Sequence, residues 1–327
     1  MPNTAAMDEL PDPASPASIA HETIDHHTAI AAFNMDDIIR LLPHTSERVA
    51  CLCAEKLLRA SLMTQSLADI LLRRRDRSSL IVLSEGIGLS PIMVAHLAKL
   101  GSIEEARAIA ACPTLSENTL LHLIARNDPM IDRIIAECSG EPLPDSVLHA
   151  LTTRAFNDAR LARILISRTD LPSPFRASLF AHASPREKIA ILNLANQSAS
   201  SRPHGVDPTR LNALSQAIET GDASTLTSLL SNYLNVSYDL LYTILGETSG
   251  ATLALALKGM DLPSHLIRRA CRWANTTHAG MPGGIEDVLE TVSPSSALWM
   301  ITAILSIAKA NEPITQNRTD HEERLIA

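Results

Sequence analysis

Apolar residues along this chain recur at three- and four-residue intervals rather than at every second position. Leu161–Ile166 (LARILI) shows the habit: its aliphatic side chains share one face only if the segment is helical. The apolar runs are short, and a common phrase opens many of them. An aliphatic residue is followed by Ser, Pro or Asp, then by two or three variable residues, and then by the run. The phrase begins at Leu89 (LSPIMVAHL), Leu115 (LSENTLLHL), Leu143 (LPDSVLHAL), Leu171 (LPSPFRASLF), Val206 (VDPTRLNAL), Val236 (VSYDLLYTIL) and Leu262 (LPSHLIRRA), with a weaker copy at Leu62 (LMTQSLADIL). Successive starts lie 27, 26, 28, 28, 35, 30 and 26 residues apart, so the unit is about 27 residues. The one long step contains the insertion Ser198–Val206 (SASSRPHGV).

Each phrase carries the chemistry of a helix start. Ser90, Ser116, Asp207 and Ser237 can accept hydrogen bonds from the unpaired amides of a first turn, and Pro91, Pro144, Pro172, Pro208 and Pro263 suit a position where no N–H is needed. A second helical run follows within each unit, at Ile103–Ala111, Ala159–Ser167, Arg186–Ala195, Ala223–Leu230 and Ala251–Leu257. Two such helices with tight turns fill one unit, and one hairpin cannot bury its apolar face until neighbours stack on it. The expectation is an all-α chain, a right-handed α-solenoid of about eight short hairpin repeats resembling HEAT repeats, with Leu120 and Ile164 in its core. The boundaries that follow are a flexible acidic leader over 1–30, repeats over 31–197, a loop insertion at 198–205 open to proteolysis, further repeats over 206–310 and a flexible tail over 311–327.

Composition supports helices over sheets. Hydrophobic residues make up 46% of the 327, yet aromatics only 3%, and glycines number 12. Leu, Ile and Ala dominate, as close helix packing requires. The net charge of −8 is concentrated at the ends: residues 1–40 hold seven acids against Arg40, and 311–327 hold four acids against two arginines. The 25 basic and 25 acidic residues between them cancel, which leaves no basic stripe for phosphates, so nucleic acid is not an expected partner. Five scattered cysteines (Cys51, Cys53, Cys112, Cys138 and Cys271) read as reduced and buried, the pattern of a cytoplasmic protein. No signal pattern opens the chain, and the apolar stretch Ala297–Ala308 falls short of the ~20 residues a membrane span needs.

The segment from His44 to Ala181 resembles the bacterial HEAT-like repeat family known as domain of unknown function 2336. The residues that carry the resemblance are Ser46–Leu58 (SERVACLCAEKLL), Glu104–Leu120 (EEARAIAACPTLSENTL) and Ala159–Phe175 (ARLARILISRTDLPSPF). Leu211–Ala270 is similar to the second half of longer members. The resemblance implies a fold and no chemistry.

Candidate sites are few. His96, His122 and His149 occupy similar places in three successive units, 26 and 27 residues apart, with Arg176 near the same place in the next. Stacked helices stand ~10 Å apart, too far for a single metal, so these four residues are read as a polar ridge that another protein could grip. His21, His26 and His27 sit in the acidic leader without the spacing of a zinc protease. Arg126–Asp128, Arg168–Asp170 and Arg73–Asp76 (RRRD) read as hairpin corners, with arginine closing one helix and aspartate capping the next. Cys51 and Cys53 lack a second pair to complete a zinc site, Gly280–Gly284 (GMPGG) lacks the lysine of a phosphate loop, and no nucleophile elbow or kinase signature is present. No metal or cofactor is therefore expected, and no enzyme.

The expected function is a non-enzymatic protein–protein interaction scaffold or regulatory adaptor. The alternative is an enzyme or lyase that holds a bulky ligand in the concave groove of a HEAT-like scaffold. A third reading is contact with a membrane surface through Ala297–Ala308, which, like the enzyme alternative, is not the expected outcome.

Overall fold

The computed structural model describes residues 35–138, 142–198, 207–245, 249–273 and 284–311. These residues form nineteen α-helices and no strand. The leader's His21, His26 and His27, most of the 198–205 insertion, Gly280–Gly283 and all but Asn311 of the tail lie outside them. The chain divides into two units, residues 1–94 and 95–327.

The first unit holds α1 (Met35–Leu41), α2 (Glu47–Arg59), α3 (Gln65–Arg74) and α4 (Arg77–Glu85), with a 3-10 turn at Leu42–His44. Thr64 Oγ1 accepts from Leu67 N–H to start α3, and Asp76 accepts from Ser78 N–H to start α4. Ala50, Ala54 and Leu57 of α2 and Leu67, Ala68 and Leu71 of α3 are buried in one cluster with Val82 of α4, the helix on which both pack.

The second unit begins within α5 (Pro91–Leu100) and continues through α6 (Ile103–Ala110), α7 (Glu117–Ile124), α8 (Pro129–Glu137), α9 (Asp145–Ala155), α10 (Ala159–Ser167), α11 (Ser173–Ser178) and α12 (Pro185–Ser198). After the insertion come α13 (Pro208–Thr220), α14 (Ala223–Leu234), α15 (Tyr238–Leu245), α16 (Ala251–Gly259), α17 (Ser264–Trp273), α18 (Ile285–Thr291) and α19 (Pro294–Ala310). The repeat phrases sit at helix starts: Ser116, Asp207 and Ser237 accept from the N–H groups of Thr119, Thr209 and Leu240. Pro91 and Pro208 occupy first positions, while Pro144 and Pro172 stand one residue earlier, as caps.

Between α6 and α11 the helices fall into two rows. Helices α6, α8 and α10 pack in succession, and so do α7, α9 and α11. Leu120 is buried in the core between them, whereas Ile164 is only half-buried on a helix whose inward face is Leu161, Ala162, Leu165 and Ile166. Past the insertion the packing is less one-dimensional. Helix α19 returns to pack on α9, α11 and α12, and Asn311 donates to Thr153 O at 2.7 Å across 158 residues of chain. In a purely linear stack each repeat touches only its neighbours.

Helix α16 is buried on nearly every side, from Ala251 through Leu257 and again at Gly259, the pattern of a central core helix. It packs most extensively on α19, whose apolar run Ala297–Ala308 thereby turns inward, leaving Thr302, Ser306 and Lys309 exposed. No helix among the described residues is long and apolar enough to cross a membrane.

Candidate functional site

Arginines and aspartates make the recurring polar structure. Arg107 of α6 donates to Asp128, the cap of α8, at 2.7 Å. One unit later Arg133 of α8 donates to Asp158, the cap of α10, also at 2.7 Å. Each aspartate accepts two first-turn amides as well, from Met130 and Ile131 in one case and from Arg160 and Leu161 in the other. Burial pushes both carboxyls up, but these hydrogen bonds and the adjacent guanidinium outweigh it and hold them below the ordinary value of 3.8. The link runs from the body of one helix to the start of the next in its row.

A second link joins helix ends. Arg126 Nη1 donates to Ala98 O and Lys99 O near the end of α5, and Arg154 Nη2 to Ile124 O, the last residue of α7. Arg168 Nη1 donates to Ala136 O and Cys138 O at the end of α8, and in the first unit Arg74 donates to Leu42 O, Pro43 O and Thr45 O. The last carbonyls of a helix have no partner within it and carry its negative dipole end, so a guanidinium satisfies both needs. The arginine corners expected from sequence are thus ties to carbonyls about one unit upstream. Asp76 and Asp128 are caps as expected. Asp170 is not: Pro172 caps α11, and Asp170 instead pairs with Arg168 at 2.7 Å and accepts from Leu143 N–H. The intervening Leu171 and Pro172 carry the chain beyond capping reach.

The ridge residues divide. His96 on α5 and His149 on α9 are exposed, and His122 on α7 is half-buried. Arg176 on α11 is engaged, donating to Ile166 O, Arg168 O and Leu171 O at 3.3, 2.6 and 3.4 Å. Among the described residues no three His, Cys, Asp or Glu side chains gather as a metal site would require.

None of the five cysteines forms a disulfide; Cys112 and Cys271 are buried, while Cys51, Cys53 and Cys138 are half-buried rather than buried as expected. Burial, with a smaller contribution from the charge of Glu286, pushes the Cys271 thiol up to about 12, so it is inert as a nucleophile near neutrality.

Sequence reasoning passed over Arg107, Arg133 and the pair formed by Arg154 and Asp132. The signal was present, since Arg107 and Arg133 lie 26 residues apart, the same interval that separates His96 from His122. No protein-family model, curated protein or solved structure matches the chain.

Proposed function

We propose that this protein is a non-enzymatic scaffold or regulatory adaptor that binds another protein along stacked helical hairpins in the cytoplasm. In this reading α5–α11 form an α-solenoid of short HEAT-like repeats, and the chain is a bacterial relative of the domain of unknown function 2336. The observation that carries it is the pair of arginine links, repeated at roughly one-unit intervals. Such links hold equivalent helices side by side, and equivalent surface positions then make a row that a partner can follow. His96 and His149 are the exposed members of that row.

The test is capture of a native partner by the full chain and by a His96→Glu, His149→Glu variant, with the melting temperature of each. Exposed substitutions shift stability by about ±0.5 kcal/mol, so the melt should not change. Loss of a captured protein with an unchanged melt supports the row as the binding surface. Undiminished capture removes the row, and no captured protein removes the adaptor. Arg176 is left intact because its guanidinium holds three carbonyls.

A further inference from the structure

The first unit carries an open apolar groove of about 300 Å³. Its lining includes Ile38 and Leu41 of α1, Val49, Cys53 and Lys56 of α2, and Leu62 in the turn after α2. Leu41, Val49 and Leu62 are 46%, 44% and 52% exposed, so three large aliphatic side chains stand half in water around one depression. Clustered apolar exposure of this kind marks a surface that something covers.

We propose that the occupant is the segment that precedes α1, residues 1–34 (the acidic leader together with the four residues that join it to α1, below called the leader), folded back onto the groove. Connectivity favours it first. The leader joins the chain at Met35, the first residue of α1, which itself lines the groove. Thirty-four residues at ~3.3 Å each far exceed the ~20 Å length of the 13-residue α2. Composition agrees. The leader offers Ile19, Ile24, Ile30 and Phe33 as apolar anchors, with five acids and no Lys or Arg. Lys56 is the charged residue among those lining the groove, and its positive charge acts on the Cys53 thiol. Acidic chain laid along the groove therefore meets positive charge as well as apolar surface. A tethered segment also acts at an effective concentration near the millimolar range, which a second copy at micromolar concentration does not match.

Cys53 is a built-in reporter, because it lines the groove while Cys51, two positions back on α2, does not. The experiment compares N-ethylmaleimide labelling of both thiols in the full chain and in a full-length Ile24→Asp, Ile30→Asp, Phe33→Asp variant. With the leader seated, Cys53 labelling rises about tenfold in the variant while Cys51 is unchanged, at every protein concentration from about 1 to about 50 µM. Equal Cys53 rates in the two proteins overturn the proposal. Protection that grows with concentration and survives in the variant also overturns it, in favour of a second copy. Should both thiols accelerate together, α2 has loosened, and the unsubstituted protein decides by carbodiimide cross-linking. An intrachain bond between Lys56 and Glu22 or Asp25 supports the leader, and its absence overturns it.

Discussion

Arg154, at the end of α9, closes on Asp132 in the middle of α8 with one guanidinium nitrogen 3.0 and 2.9 Å from the two carboxylate oxygens. Its other terminal nitrogen reaches Ile124 O and Asn127 Oδ1, so a single side chain ties the end of α7, the corner after it and the acid on α8. Asp132 is only 4% exposed. Burial pushes its carboxyl above the ordinary 3.8, and Arg154 pulls against that rise.

Arg154→Met should therefore strand a buried acid. The expected loss in urea unfolding at neutral pH is about 3 kcal/mol or more, and Arg154→Met with Asp132→Leu should recover most of it. The sign of the pH dependence follows from the raised carboxyl. A group raised in the folded state contributes stability below its unfolded value and loses it as pH rises through the folded one. Without Arg154 the folded value climbs further, so the deficit should be small in acid and grow above 3.8. A deficit that is constant with pH would mean that the charge on Asp132 is not what Arg154 offsets.

Asp128 and Asp158 give the opposite sign. Burial acts to raise both, but Arg107, Arg133 and the amides each carboxylate accepts hold them below 3.8 in the folded state. Their contribution is present above the unfolded value and lost as pH falls through the folded one. Asparagine preserves a cap but not the ion pair. The Asp128→Asn, Asp158→Asn double variant should be the less stable protein at pH 7, and the gap should close on acidification below 3.8. Urea midpoints measured across that range check the trend, and a gap that widens in acid would contradict it.

How far these features could be read in advance depended on the range of the physics behind them. Capping is local, so Ser116, Asp128 and Asp207 stood out at fixed offsets from an apolar run, and the expected Ala159–Ser167 helix is α10. Asp170 failed because capping depends on where the helix begins, and two residues of extra chain suffice to lose it. Arg176 looked like a ridge residue from its register. Its donation to three carbonyls depends on how the α10–α11 corner turns, which spacing does not encode. The return of α19 onto α9 and the groove of the first unit are tertiary, set by which faces are left over once the helices have packed.

Thr152 offers a gain in stability. It is fully buried on α9, and its hydroxyl oxygen has no hydrogen-bond partner. A buried hydroxyl left unsatisfied costs roughly 1–3 kcal/mol, while an apolar group of the same shape costs nothing comparable. Thr152→Val keeps the β-branch and nearly the same volume. The variant should unfold at higher urea with the same slope, by about 1 kcal/mol. A loss of stability would show that the hydroxyl is satisfied in solution, most simply by a water.

Gly259, in the last turn of α16, tests a close helix approach in the second unit. A Cβ built there would stand 3.0 and 3.1 Å from the backbone N and Cα of Leu298 on α19. Two effects of similar size oppose each other. Alanine is better than glycine within a helix by about 1 kcal/mol, which favours Gly259→Ala. Overpacking a close-fitted interior costs about 1–3 kcal/mol, which disfavours it. The neighbour decides between them. A flexible side chain could swing aside, but here the obstacle is main chain in a helix with Ala297, Met300, Ile301 and Ile304 buried. Moving it disturbs the most extensive helix pairing of the unit. Gly259→Ala should therefore destabilise the fold, by a net of up to about 2 kcal/mol, and lower the melting temperature. Because the contact is with backbone, trimming the Leu298 side chain should not rescue it: Leu298→Ala and Gly259→Ala should at best add. Rescue by Leu298→Ala would place the conflict at the side chain, and a higher melting temperature for Gly259→Ala alone would mean that α16 and α19 stand farther apart than this structure has them.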